Sequence, residues 1–372
     1  MKCFERLVLH HLKTCLPQNF DQHQFAYRRN RSTADAVTTV LHAAANHGEG
    51  LGSYVRMLFV DYSSAFNTIL PSILIRKLTD LDFPPLICEW INSFLRERPQ
   101  TVRVGPHLSS TRTLSTGSPQ GCVLSPFLYT LYTHDCVPSD DSTILVKFAD
   151  DTVVVGLISE GNEAAYREEV QRLAAWSTEN NLHLNANKTK EMVLDWRRNR
   201  ADPVPLQING VCVERVSSFR YLGVHVADDL RWHTNTTAVV GKAQQRLYFL
   251  RLLKKCHLNV NLLKTFYRST VESVLTYCIT VWYASCTAKD KRRLQGVIKS
   301  AQNIIGCPLP SLEDIANSRG LKRARNITLD PSHPGRCLFN LLPSGRRYRV
   351  LRSRTNRLRD TFYPWAIRLL NT

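Results

Sequence analysis

Three short stretches carry residue types that could do chemistry together. Asp61 ends the run Phe59-Val60-Asp61, Asp150 and Asp151 stand side by side in FADD, and Gly117 and Gly121 flank the bend in STGSPQG. An acid after an apolar strand is also an ordinary turn former or helix N-cap. Acidic pairs recur at Asp140-Asp141 and Asp228-Asp229, so a pair alone says little. What separates Asp150-Asp151 is its setting between ILVKF and TVVVGL, the dense β-branched arms of an expected hairpin. Like charges at the tip of a buried hairpin repel one another and resist desolvation, so they call for a cation. Carboxylates brought together from two strands suit hard divalent ions that keep positions open for phosphate oxygens. Two such ions about 3.5–4 Å apart stabilise the attacking and leaving oxygens of an in-line displacement, which points to a phosphoryl or nucleotidyl substrate. An acidic surface hairpin that binds nothing is the alternative. Gly117 and Gly121, without side chains, let a base and sugar approach the backbone, or simply make a turn.

The elements that must position these residues are readable from periodicity. Residues 1–45 suggest two short helices around a polar turn, and Leu51–Val60 ends in MLFV, a buried strand that delivers Asp61. Leu70–Arg96 has helical spacing, residues 100–115 a hairpin turned at Gly105-Pro106, and Gly121–Asp135 helical spacing again. Between Glu163 and Leu182, Tyr166, Val170, Leu173 and Trp176 share one helical face. Short strands are expected at EMVLDW, LQING and FRYLGVHV, and helices from about residue 234. Beyond Pro308 the chain is Arg-rich and punctuated by proline, as a loosely folded basic tail would be.

At 372 residues, with 43% hydrophobic and 22% charged side chains, the chain has a globular composition with room for two or three domains. Its charge of +18 is lopsided, because residues 241–372 hold 25 basic and 6 acidic side chains. Such a field favours a polyanionic partner, nucleic acid before membrane, or else a solvated tail. The 11 cysteines form no C-x-x-C pair, which argues for reduced thiols over disulfides or zinc. No signal-peptide layout or membrane segment is apparent, so secretion is not expected.

Taken in order, QFAYRRNRST, FVDYSSAFNTI, STGSPQGCVLSPFLY, FADDTVVVG, NLHLNANKTKEMV and FRYLGV resemble the motifs of the reverse transcriptases of non-LTR (LINE-type) retrotransposons, over roughly Lys2 to Gly306. The resemblance implies an α+β right-hand polymerase. Partial fingers would occupy residues 1–50, an antiparallel-sheet palm with finger insertions 51–233, a helical thumb 234–307, and the basic tail 308–372. It implies RNA-templated transfer of deoxynucleotides to a primer 3′-hydroxyl. Asp61, Asp150 and Asp151 would hold two Mg²⁺ ions, or Mn²⁺ in their stead, with Asp151 the more replaceable ligand. Tyr62 and Phe66 would face the nucleotide, Phe66 excluding a 2′-hydroxyl unless it is simply core. Gln120 and Gly121 would lie against nucleotide and template. Arg28 and Arg31 would hold the triphosphate and Lys188 would protonate the departing pyrophosphate, each competing with a solvated surface role. Tyr221, Leu222 and Gly223 would form the primer grip. The implied partners are an RNA template, a DNA primer and deoxynucleoside triphosphates.

The sequence departs from the family at its front, where neither an endonuclease domain nor finger sequence precedes KCFERL. The expectation is a truncated copy or an incomplete gene model, and a catalytically inactive fragment that still binds RNA or hybrid duplex is the rival function. A DNA-templated polymerase is a third reading. Residues 220–305 also resemble a segment named after alkylation-repair or tRNA-modifying dioxygenases, yet the H-x-D that usually opens their iron triad occurs nowhere.

Overall fold

The strand Tyr54–Val60 is buried along its whole length, because both of its faces are covered. Its side chains alternate as a strand's must. Val55, Met57 and Phe59 enter one apolar cluster with the helix Thr33–His47, whereas Tyr54, Leu58 and Val60 enter another with the helices Pro71–Asp80, Ser125–Tyr132 and Ala164–Glu179. Burial on both faces is why MLFV reads as an unbroken apolar run. The computed structural model describes residues 2–17, 20–198 and 202–372.

Among the described residues this strand is the centre of a five-stranded sheet, in the order Glu214–Arg215, Lys190–Leu194, Tyr54–Val60, Asp151–Ile158, Thr143–Phe148. All neighbours are antiparallel except the two-residue edge Glu214–Arg215, which runs parallel to Lys190–Leu194. The α+β architecture therefore agrees with the sequence reading. A buried ion pair lies in the middle of this sheet: Arg56 is fully buried and grips Glu191 through two contacts of 2.8 Å. The stretch Leu70–Arg96 is two helices, Pro71–Asp80 and Pro85–Leu95, separated where Asp82 adopts a left-handed φ of 58° ahead of Pro84. The expected hairpin forms, with Val104 paired to His107 and Arg98–Gln100 paired to Arg112–Leu114. After the sheet come the helices His233–Lys255 and Ala288–Ile305, with a π-helical turn at Tyr267–Glu272 between them.

The loose tail expected after residue 308 is folded instead. Helices Leu312–Leu329 and Phe362–Leu370 enclose a small core that includes Ile327, Phe339 and Tyr363. Arg323 lies 3.8 Å from the Phe362 ring centre and donates to Asp35 Oδ1, Thr38 Oγ1 and the Ala34 carbonyl, which fastens this segment to the helix Thr33–His47. Composition misleads here because arginine counts as surface charge, yet its flat guanidinium packs on rings, as Arg357 also does on Trp196 at 3.6 Å. No helix among the described residues is long and apolar enough to cross a membrane.

Candidate active site

Sheet register brings the acids together. Val60 pairs with Thr152, so the next residue, Asp61, emerges beside Asp151, while Phe148 pairs with Asp151 across the two-residue turn Ala149-Asp150. Asp61 is fixed from its other side: its N–H donates to Thr189 Oγ1 at 3.2 Å and its carbonyl accepts the Asn185 N–H at 2.9 Å. Ala149 takes a left-handed φ of 57°, a conformation that costs a residue with a Cβ about 1–2 kcal/mol. The fully buried amide of Gln24 holds it there, accepting the Ala149 N–H at 2.9 Å and donating to the Ala149 carbonyl at 3.3 Å. Gln24 is a site residue that sequence reasoning passed over, although it sits within QFAYRRNRST.

The electrostatics agree with this convergence. Although Asp151 reaches solvent, its carboxyl is pushed up to about 6, first by the protein crowded round it and then by the charges of Asp150 and Asp61. Tyr221 lies beneath the hairpin with its ring 5.5 Å from that of Phe59, and its phenol is pushed up by burial and then by Asp151. Tyr27 is likewise raised by burial and then by Asp150. Among the described residues no group of three or more His, Cys, Asp or Glu is drawn close enough to grip a metal ion as it stands. The acids thus converge without closing into a ligand set. Three carboxylates that repel one another, with no basic partner among the described residues, still fit a divalent cation.

The STGSPQG turn lies directly against the segment after Asp61. Gly117 N–H donates to the Ile69 carbonyl at 2.7 Å, Ser118 N–H to the Phe66 carbonyl at 2.9 Å, and Gln120 Nε2 to Asn67 Oδ1 at 3.2 Å. Gly117 is required: its φ is +74°, and a Cβ would lie 2.8 Å from Asn67 Cα. Arg98, unforeseen from sequence, donates to the Thr116 and Gly117 carbonyls at 2.6 and 2.9 Å. Beside the turn opens a cavity of about 710 Å³ lined in part by Asn67, Gln100, Ser118 and Gln120, and Gly121 borders open space. Phe66 stacks on Tyr129 at 4.7 Å and remains half-buried.

The remaining predicted residues divide. Leu222 and Gly223 form the two-residue turn of a hairpin, both with positive φ, and Tyr277 holds it by donating its hydroxyl to the Leu222 carbonyl at 2.8 Å. Lys188 is exposed in the turn before Lys190–Leu194, without an ion pair among the described residues. Arg28 donates to the Asp21 carbonyl at 2.7 Å. Two residues are not brought to the acids. Tyr62 is buried with its hydroxyl 3.4 Å from Ser177, and Arg31 is tied to Asp330 at 3.2 Å and to the Ser332 carbonyl at 2.5 Å.

Residues 232–273 match a family described as "Alkylated DNA repair protein alkB homolog 8, N-terminal", a short helical stretch that includes His233, His257 and Glu272 but no metal triad among the described residues. The chain is 27% identical over 323 residues to the "Probable RNA-directed DNA polymerase from transposon BS" of Drosophila melanogaster, covering 82% of this chain and 35% of that protein. It is 25% identical to the RNA-directed DNA polymerase from mobile element jockey of Drosophila funebris, covering 98% of this chain and 42% of that one. The chain therefore spans well under half the length of these relatives. Among solved structures, telomerase from Candida albicans aligns at 13% identity and a TM-score of 0.43, over 89% of this chain and 56% of that one. The family described as "Reverse transcriptase (RNA-dependent DNA polymerase)" matches residues 1–226, a stretch that contains all three acids, the STGSPQG turn and the Leu222-Gly223 hairpin. With more than half of its length inside that match, the chain belongs to the reverse transcriptases, of the kind carried by non-LTR (LINE-type) retrotransposons.

Proposed function

We propose that this chain adds deoxynucleotides to a primer 3′-hydroxyl on an RNA template, as the polymerase part of a LINE-type element acting in the nucleus or cytoplasm. The observation that carries the reading is the meeting of Asp61, Asp150 and Asp151 at one sheet end, with Asp151 raised first by its burial and then by the charges of the other two. These three carboxylates would hold a pair of Mg²⁺ ions, which when bound neutralise charge on the phosphoryl oxygens and ease ionisation of the primer hydroxyl. The chain's own residues do the positioning. Gln24 keeps the Ala149-Asp150 turn aimed, and Asn185 and Thr189 keep Asp61 in place. Phe66 and Gln120, on facing segments joined by hydrogen bonds, border the space for sugar and base, and the Leu222-Gly223 turn is the proposed primer support. Arg28 and Lys188 are proposed for the triphosphate and the leaving group. In this reading residues 1–50, 51–233 and 234–307 are fingers, palm and thumb.

Primer extension on poly(rA)·oligo(dT) with Mg²⁺ tests the reading beside an Asp150→Ala control. Extension by the unmodified chain that falls about 10²-fold or more in the variant supports it. Binding of the hybrid with no extension by either protein would leave the nucleic-acid-binding remnant as the function.

A further inference from the structure

Between the Phe20–Arg31 loop and the folded C-terminal segment lies a cleft of about 510 Å³, walled by Gln22 and Arg28 on one side and by Ser332, Arg336 and Asn340 on the other. Its charge is unbalanced. Asp21, the nearest acid of the loop, is taken by Lys147 at 3.0 Å, and Asp330 is taken by Arg31 at 3.2 Å. Arg336 is in no ion pair among the described residues, whereas Arg28, proposed above for the triphosphate, donates to the Asp21 carbonyl at 2.7 Å and leaves the strand's phosphates to Arg336. The far wall is fixed, since His333 Nδ1 accepts the Gly335 N–H at 3.0 Å and Arg31 holds the Ser332 carbonyl.

A basic ribbon grows from the rim of this cleft. The Asn340 carbonyl accepts the Arg349 N–H at 2.7 Å and Leu342 N–H donates to the Arg347 carbonyl at 2.8 Å, so Arg346, Arg347 and Arg349 stand exposed on a small hairpin that begins at the cleft. From Pro331 to Arg359 the chain has 8 arginines and no lysine, aspartate or glutamate. Arginine forks match phosphate oxygens two at a time, which lysine does not do. A cleft of this size is in the range that holds one ligand of about nucleotide size.

We propose that the cleft and its ribbon hold a single-stranded stretch of RNA by its phosphates, namely the template outside the primer duplex. The proposal rests on the RNA-directed reading above and adds a seat for the strand that the acids do not touch. It also gives the loop two tasks: Gln24 grips the catalytic turn while Gln22, on the same loop, lines the cleft, so a strand in the cleft lies one loop away from Asp150.

The test uses the full chain and two labelled hybrids with the same primer duplex, one blunt and one with a long 5′ single-stranded RNA extension, titrated by fluorescence anisotropy. The unmodified chain binds the extended hybrid more tightly. Arg336→Glu weakens that binding about tenfold, leaves the blunt hybrid unchanged, and lowers the salt slope by about 0.7 for each phosphate that is no longer neutralised. The double variant Arg346→Glu/Arg347→Glu, at an exposed turn where folding is not at stake, acts in the same direction. Equal weakening of both hybrids, or of neither, overturns the proposal. Primer extension is read in parallel: preference for the extension without any synthesis sinks the polymerase reading and keeps this one, and synthesis without the preference does the reverse.

Discussion

Two clusters of charge sit on one sheet and are treated in opposite ways. In the middle, Glu191 is closed off: Arg56 meets it with two contacts of 2.8 Å, and the Tyr166 hydroxyl donates to it at 2.9 Å. At the end, Asp61, Asp150 and Asp151 face one another with no basic partner among the described residues, and Asp151 is pushed up to about 6. The first charge is balanced inside the protein, whereas the second is left open to something that is not protein. Local rules are obeyed through most of a fold and broken where it works, so the unbalanced cluster is the one to read as functional.

That contrast breaks most visibly at Arg56. Arg56→Ala leaves Glu191 buried without its partner, which is expected to lower unfolding free energy by about 3–5 kcal/mol. Urea unfolding measures it as a lower midpoint at unchanged slope. Asp150→Ala, which removes one of three repelling charges, should leave the midpoint unchanged or raise it. If the two variants destabilise alike, the distinction between a closed and an open cluster is lost.

A smaller effect separates the turn from the acids it carries. Gln24→Leu keeps the volume but leaves the Ala149 N–H and carbonyl without the buried amide that pairs both. An orphaned buried group costs roughly 1–3 kcal/mol. Primer extension should fall more than stability does, because the turn that aims Asp150 is loosened. Full activity in a destabilised Gln24→Leu chain would mean that the amide is only structural.

What the sequence revealed and what it hid have physical causes. The strand ending in Asp61, the hairpin carrying Asp150 and the long helix before Leu182 were legible because burial imposes a period on the side chains. The clamp of Gln24 on Ala149 was not, since it joins residues 125 positions apart by amide hydrogen bonds that leave no periodic trace. The same holds for Arg323 on Asp35, 288 positions apart, which turned an expected tail into a packed segment. Arg31 shows the same blindness from the other side: its residue type suits a triphosphate, while its pairing with Asp330, 299 positions away, leaves no trace in the sequence.

The least effect, and the one read at Asp151 itself, is on pH. Asp151 has a folded value of about 6 against an ordinary value of 3.8, so between these limits the native state holds more of its proton than the unfolded chain does. Its carboxyl therefore favours the fold most at low pH, and that contribution is lost as pH rises through 6. Solvent near the exposed side chain screens the effect to about 1 kcal/mol or less, a degree or two in melting temperature. Without divalent ions the unmodified chain should lose stability from pH 5 to pH 7 more steeply than Asp151→Asn, which has no charge to repel its neighbours. Adding Mg²⁺ at pH 7.5 should raise the melting temperature of the first and do less for the second, because an ion that binds only the native state stabilises it in proportion to its affinity. Superimposable pH curves would show that neither burial nor the other two acids raises Asp151, and with that the comparison between the open and the closed cluster would fail.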